Sequence, residues 1–72
     1  MISLIEFIKK RRKQLGITQR ELADKAGVGL RFIRDLEQGK ESLRMDKVND
    51  VLKLFGHELG PVKEKLSGVD DE

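Results

Sequence analysis

Four segments of the chain repeat apolar residues at spacings of three and four, and each of them is followed by a glycine. This spacing places the apolar side chains on one face of an α-helix, and glycine readily adopts the left-handed conformation that ends a helix. The pattern therefore predicts an all-α fold, a compact domain of four short helices. We expect these helices over about residues 4–15, from Thr18 to Gly27, over about residues 30–38, and from Met45 to Gly56.

The chain length allows one small domain, because 72 residues fall below the usual size of a single domain. A core of this size is thin, so a second copy of the chain is an expected supplement. The sequence has no cysteine and one histidine, which excludes disulfides, thiolate chemistry and metal sites built on cysteine or several histidines. We therefore expect no enzyme activity, no metal and no cofactor.

The N-terminal residues lack the basic and apolar regions of a targeting peptide, and no apolar run is long enough to cross a bilayer. We expect a cytoplasmic protein with no membrane partner. Its charge is uneven, since residues 1–34 carry nine basic and three acidic side chains, a net of +6, and the remainder carries −4. This asymmetry favours a polyanion-binding half, although solvated helix faces produce similar counts in many small proteins.

Local signals mark where two of the helices begin. Ser3 to Glu6 and Thr18 to Glu21 both have the spacing of a capping box, in which a hydroxyl and a carboxylate bond free backbone N–H groups. Ile17 and Leu22 flank the second box as a hydrophobic staple. The apolar faces predict a core of Leu4, Ile5, Ile8, Leu15, Leu22, Ala23, Ala26, Phe32, Ile33, Leu36, Met45, Val48, Val51, Leu52 and Phe55.

The stretch from about residue 18 to 38 has the order of a helix-turn-helix motif. A small residue, Ala23, permits close crossing of the two helices, and Gly27 permits the tight turn. With its Thr-Gln-x-Glu-Leu-Ala start, the chain resembles the lambda-repressor-like (Xre) DNA-binding family over residues 4–56. More narrowly, Phe32 to Gly60, ending Phe-Gly-His-Glu-Leu-Gly, resembles the small HipB-type antitoxins, which repress their own operons and bind HipA-type kinase toxins.

The resemblance implies that the third helix enters the major groove of DNA and that the start of the second helix meets a phosphate. A helical wheel agrees, because the polar residues of the third helix share one side and its apolar residues the other. The side chains expected to read bases are Leu30, Arg31, Arg34 and Asp35. Those expected to contact phosphates are Gln19, Gln38, Lys40, Ser42 and Arg44.

Two further expectations follow from the family pattern. Arg12 and Glu37 stand where the family carries an ion pair, which we expect to be largely buried; the alternative is two independent surface charges. Gly29 departs from the family, which usually has a serine or threonine there to cap the third helix, so that cap and its backbone contact are in doubt.

A palindromic operator requires two copies of the chain, so we expect a homodimer. Two interfaces remain open: the apolar edge of the fourth helix, and an extended segment at residues 57–62 that pairs with its two-fold mate as a β-strand, as in HipB-type antitoxins. The candidate interface residues are Val51, Leu54, Phe55, Leu59 and Val62. We assign residues 1–62 to the helix-turn-helix domain and 63–72 to a polar acidic tail.

The functional prediction is a sequence-specific repressor of double-stranded DNA and the antitoxin of a type II toxin-antitoxin operon, with a HipA-type kinase as toxin. Two alternatives stay open: a domain of the same fold that acts mainly as a protein-interaction module, and a stand-alone regulator without a toxin.

Overall fold

The structure, a computed structural model, describes residues 2–63, which form four α-helices and no strand. The helices are α1 (Ile2–Leu15), α2 (Gln19–Ala26), α3 (Leu30–Glu37) and α4 (Met45–Lys53). Helices α2 and α3 pack closely on each other, while α1 packs on α3 and α4 packs on α2. The predicted all-α, four-helix architecture is confirmed. Apart from Lys63, the predicted acidic tail lies outside the described residues.

The core lies where the four helices meet, and it follows the predicted apolar faces with two exceptions. Leu15 is 57% exposed and Met45 is 70% exposed, so both predictions of burial were wrong. Each residue is the terminal residue of its helix. The nearest buried residue is Ile8 in α1, about two turns from Leu15, and Val48 in α4, about one turn from Met45. The buried apolar side chains are Ile8, Leu22, Ala23, Ile33, Leu36, Val48, Val51 and Leu52. No helix in residues 2–63 has both the length and the apolar character needed to cross a membrane.

Helix α1 begins two residues earlier than predicted, so Ser3 lies inside the helix. A residue that caps a helix has extended backbone, and a residue within the first turn does not. The predicted capping box at Ser3 was therefore wrong. Leu4 and Phe7 pack against the core, and this tertiary contact supports the first turn of α1.

Helix α2 begins as predicted, with a complete capping box. The Glu21 N–H donates to Thr18 Oγ1 at 3.1 Å, and the Thr18 N–H donates to Glu21 Oε1 at 2.8 Å. At the other end Gly27 adopts a left-handed conformation with φ +74°, and its N–H bonds the carbonyls of Ala23 and Asp24. Local interactions thus fix both ends of α2, and the one at Gly27 sets the turn that leads to α3.

Helix α3 begins without a side-chain cap. Gly29 is its N-cap residue, with φ −76° and ψ 152°, and no side chain bonds the free N–H groups of the first turn. A Cβ built at this position meets no atom within 4 Å. The doubt about a cap at this position is confirmed, since the structure supplies no replacement among the described residues.

Arg12 and Glu37 join α1 to the end of α3. Arg12 Nε donates to Glu37 Oε2 at 2.8 Å, and Arg12 Nη2 donates to Glu37 Oε1 at 3.1 Å. The Glu37 side chain is 3% exposed and the Arg12 side chain 16%. Burial disfavours the charge on Glu37, but hydrogen bonds from Arg12 and Gln19 outweigh it and hold the pKa of Glu37 below its ordinary value. The two residues form a largely buried ion pair rather than two surface charges.

Removing one partner of this ion pair should be costly. We expect Glu37→Ala to lower the free energy of unfolding by about 3 to 5 kcal/mol, because it leaves the Arg12 guanidinium without its buried partner. The double variant Arg12→Met with Glu37→Leu should recover much of this loss, since apolar side chains can fill the same space. Urea denaturation followed by circular dichroism measures both changes. A loss under about 1 kcal/mol in the single variant would contradict the prediction.

The pH dependence of stability provides a second measurement on the same pair. Because the folded pKa of Glu37 lies below its unfolded value, the stabilisation is complete above the unfolded pKa. It is lost as the pH falls through the folded pKa. The difference in unfolding free energy between the native chain and the double variant should therefore shrink in acid.

The two glycines that border the turn before α3 should respond in opposite ways to a side chain. We expect Gly29→Ser to raise the free energy of unfolding by about 0.5 to 1 kcal/mol, since the hydroxyl caps α3 and the unfolded chain loses freedom. As a matched control, Gly27→Ala should lower it by about 1 to 2 kcal/mol, because alanine is strained at a positive φ. Thermal or urea denaturation of both variants measures the effects, and equal effects of the same sign would contradict the assignment.

Candidate nucleic-acid interface

The polar face of α3 is accessible along its length. Arg31 and Arg34 are exposed, Asp35 and Leu30 are partly exposed, and the opposite face of the helix is buried. Within residues 2–63 neither arginine forms a salt bridge. A guanidinium with no intramolecular carboxylate retains its donors for a bidentate contact with guanine. The helix therefore presents two unengaged arginines on its outer face.

The start of α2 lies beside this face. Thr18, Gln19 and Arg20 line a shallow concavity of about 420 Å³ together with Leu30 and Arg34 from α3. Helix geometry leaves the first backbone N–H groups of α2 without intrahelical partners, and such groups favour an anion. The fold thus brings a predicted phosphate contact, Gln19, into one concave surface with the predicted base contacts Leu30 and Arg34. We call this surface the α2–α3 concavity.

Arg20 is a further member of the α2–α3 concavity that the sequence analysis missed. Its side chain is exposed, and it follows Gln19 in the first turn of α2. The sequence contained a signal for Arg20. A basic residue in the first turn of α2 lies near the phosphate expected at the start of that helix. The motif alone drew attention to Gln19 instead.

The Gln19 amide, predicted to contact a phosphate, also forms a contact within the protein. Gln19 Nε2 donates a hydrogen bond to Glu37 Oε1 at 3.0 Å, so the amide is already engaged within the protein. The Nε2 group carries two hydrogens and one of them remains for another acceptor. Sequence reasoning missed this contact because Gln19 and Glu37 are 18 residues apart.

The predicted phosphate contacts after α3 fall into two groups. Gln38 and Ser42 are exposed, and Lys40 Nζ lies 3.6 Å from Asp35 Oδ2, so Lys40 remains on the same side as the polar face of α3. Arg44 differs, because its guanidinium donates to both carboxylate oxygens of Asp46, at 2.7 and 3.2 Å. This contact lowers the pKa of Asp46. It directs Arg44 towards the start of α4, and the phosphate contact of Arg44 stays a prediction.

The residues predicted to form the dimer interface differ in how far they are buried. Val51 is completely buried in the core of its own chain, so it cannot belong to an interface and this assignment was wrong. The residue faces inward because it shares the apolar face of α4 with Val48 and Leu52. Phe55 is half-buried and packs edge-on against Phe7, with ring centroids 6.0 Å apart.

The other candidates lie closer to solvent. Leu54 is 40% exposed and Val62 is 88% exposed. Leu59 packs against the core, and its backbone N–H donates to Asn49 Oδ1 at 2.7 Å. Residues 57–63 contain no strand within the single chain, so pairing with a second copy stays a prediction.

Comparison with known proteins places these features in a family. The family model described as helix-turn-helix matches residues 8–60. The chain is 53% identical over 45 residues to an uncharacterised HTH-type transcriptional regulator of Sinorhizobium fredii, a match that covers 62% of this chain and 59% of that protein. It is 37% identical over 52 residues to an uncharacterised HTH-type transcriptional regulator of Methanothermobacter thermautotrophicus, covering 72% of this chain and 75% of the relative.

The match therefore spans less than two thirds of the first relative's length. The family match, in contrast, includes all of α2, α3 and α4 and most of α1, with the turn that fixes α3 against α2. Four helices, a capped second helix and an exposed polar face on the third are the features expected of that family. The chain belongs to the lambda-repressor-like (Xre) class of the helix-turn-helix family.

Proposed function

We propose that the chain is a sequence-specific DNA-binding transcriptional repressor that acts as a homodimer on a palindromic operator in the cytoplasm. The observation that carries the proposal is the α2–α3 concavity, in which the start of α2 meets the outer face of α3. Phosphate contacts at the start of α2 fix the register on DNA, and arginines on α3 read base edges. The two relatives, both named as HTH-type transcriptional regulators, support a role in transcription regulation.

Binding to DNA rather than to a protein follows from the charges on this surface. Arg20, Arg31 and Arg34 are exposed and form no salt bridge with the other described residues, and Lys40 adds a fourth positive charge after α3. A protein-interaction module of the same fold is the alternative, supported by the net negative charge of residues 35–72. Salt dependence separates the two, because each neutralised phosphate contributes a slope of roughly −0.9 to a plot of log affinity against log salt.

We further propose that the protein is the antitoxin of a type II toxin-antitoxin operon with a HipA-type kinase as toxin. The support is the resemblance of Phe32 to Gly60 to HipB-type antitoxins. The test is co-expression of the chain with a HipA-type kinase in a growth assay. Relief of growth arrest and co-purification of a stoichiometric complex would support the antitoxin role, whereas arrest that persists without complex formation would favour a stand-alone regulator.

The homodimer is proposed to form through the exposed apolar residues at the C-terminal side of the domain. The N–H of Leu59 points inward to Asn49, and backbone groups alternate in direction along an extended segment. Pro61 therefore falls on the inward side, where its missing donor is harmless. The outward backbone groups of Glu58, Gly60 and Val62 are then available for pairing with a second copy.

Substitutions on α3 should separate base reading from general affinity. We expect Arg31→Ala and Arg34→Ala each to weaken binding to a selected operator by about 1 to 3 kcal/mol while leaving binding to random duplex nearly unchanged. Fluorescence anisotropy with an operator selected from a random-sequence pool measures both. Arg11→Ala is the matched control, because Arg11 lies over the Phe7 ring rather than on α3. Equal losses on operator and random duplex would contradict the assignment.

Charged substitutions at the exposed apolar residues should weaken the dimer. We expect Leu54→Lys and Val62→Lys each to raise the dimer dissociation constant about tenfold, which corresponds to loss of one buried apolar side chain. Sedimentation equilibrium measures the effect. Leu15→Lys makes the same chemical change at an exposed leucine at the end of α1, and it should leave the dimer intact. Unchanged sedimentation of both interface variants would overturn this interface.

A further inference from the structure

Glu37 connects the interior of the domain to the α2–α3 concavity. It is the one charged residue buried within residues 2–63, and its carboxylate accepts hydrogen bonds from two other helices. Arg12 of α1 contacts both oxygens, and Gln19 at the first position of α2 contacts Oε1. The ion pair explains the contacts with Arg12. The hydrogen bond from Gln19 connects the buried carboxylate with the α2–α3 concavity, the surface proposed to contact DNA.

The charge on Glu37 determines which way the Gln19 amide faces. An ionised carboxylate only accepts hydrogen bonds, so the amide nitrogen must face Glu37 and the amide oxygen must face away. The reverse orientation would place two acceptor oxygens against each other. Arg12 keeps the carboxylate in place, since its Nη1 also donates to the Ile17 carbonyl at 3.1 Å. Gln19 is thereby held in one orientation, with one Nε2 hydrogen left for an outside acceptor.

We propose that Glu37 is a positioning residue for DNA binding, because it holds the Gln19 amide in the orientation in which its second N–H donates to a backbone phosphate. This inference rests on the proposed DNA-binding function. Without Glu37, the Gln19 side chain would adopt several rotamers, and binding would have to restrict them. Glu37 itself touches no DNA and acts only through Gln19.

A double-mutant cycle tests the coupling between Glu37 and Gln19. The probe is a mixed-sequence duplex of roughly 30 base pairs, about three helical turns, at low salt, because a phosphate contact does not depend on sequence. We expect Gln19→Ala and Glu37→Gln each to weaken binding about tenfold, in the range for a hydrogen bond to a charged group. The Gln19→Ala/Glu37→Gln double variant should bind no more weakly than Gln19→Ala alone, since a glutamine at position 37 can either accept or donate and affects binding only by no longer fixing the orientation of Gln19.

Lys40 provides the matched control for the cycle. It is exposed, it is a proposed phosphate contact, and it lies beside Asp35 rather than Glu37. Lys40→Ala combined with Glu37→Gln should therefore show additive losses. A fully additive result for Gln19 with Glu37 would overturn the positioning role and leave Glu37 a purely structural residue.

A folded background is available if Glu37→Gln fails to fold. The double variant Arg12→Met with Glu37→Leu removes both charges together and fills their space, while it deprives Gln19 of its acceptor. It should bind the duplex about as weakly as Gln19→Ala, and adding Gln19→Ala should cost nothing further. Native affinity in this background would contradict the inference.

Nuclear magnetic resonance of the Gln19 side-chain amide gives a readout that needs no DNA. In the native chain the Nε2 hydrogen that bonds Glu37 should be better protected from exchange than the other, a difference beyond the ordinary inequivalence of the two hydrogens of a primary amide. The Arg12→Met/Glu37→Leu variant should lose this difference. If the difference persists in this variant, the positioning role fails whether or not the chain binds DNA. If instead the native chain shows the difference but no salt-dependent binding to any duplex, the proposed DNA-binding function fails, and the inference with it.

Discussion

The buried carboxylate of Glu37 is the interaction on which the arrangement of the helices depends. An ionised group with a 3% exposed side chain requires partners that satisfy its oxygens, and both of its partners come from other helices. Arg12 brings α1 to the end of α3, and Gln19 brings the start of α2 to the same point. Apolar packing alone would permit several positions of α3. A carboxylate that bonds two neighbouring helices leaves α3 few of them.

This arrangement has a direct consequence for the surface. The start of α2 and the outer face of α3 meet in a shallow concavity that is lined by residues of both helices. Their relative position is set by the close packing of α2 on α3, by the turn at Gly27 and by the bond of Gln19 to Glu37. Within residues 2–63, Arg20 and Arg34 on this surface form no salt bridge, whereas Lys40, after α3, lies near Asp35. Arg44, in contrast, is engaged by Asp46 at the start of α4.

Local signals in the sequence were reliable where neighbouring residues alone form the structure. The capping box at Thr18 and the left-handed Gly27 involve groups within four residues of each other, and both occur as expected. The same kind of signal failed at Ser3, because packing of Leu4 and Phe7 on the core supports an earlier start of α1. A capping motif therefore determines a helix start only where no tertiary contact extends the helix past it.

The sequence by itself determined the number of helices, the turn between α2 and α3 and the polar face of α3, because apolar periodicity and glycine positions are local properties. It also indicated the ion pair of Arg12 with Glu37, through the resemblance to a family. Only the tertiary structure decided that Gln19 bonds Glu37 and that the apolar side chains of Leu15 and Met45 lie in solvent. These outcomes depend on which side chains meet across helices, and spacing along one helix does not contain that information.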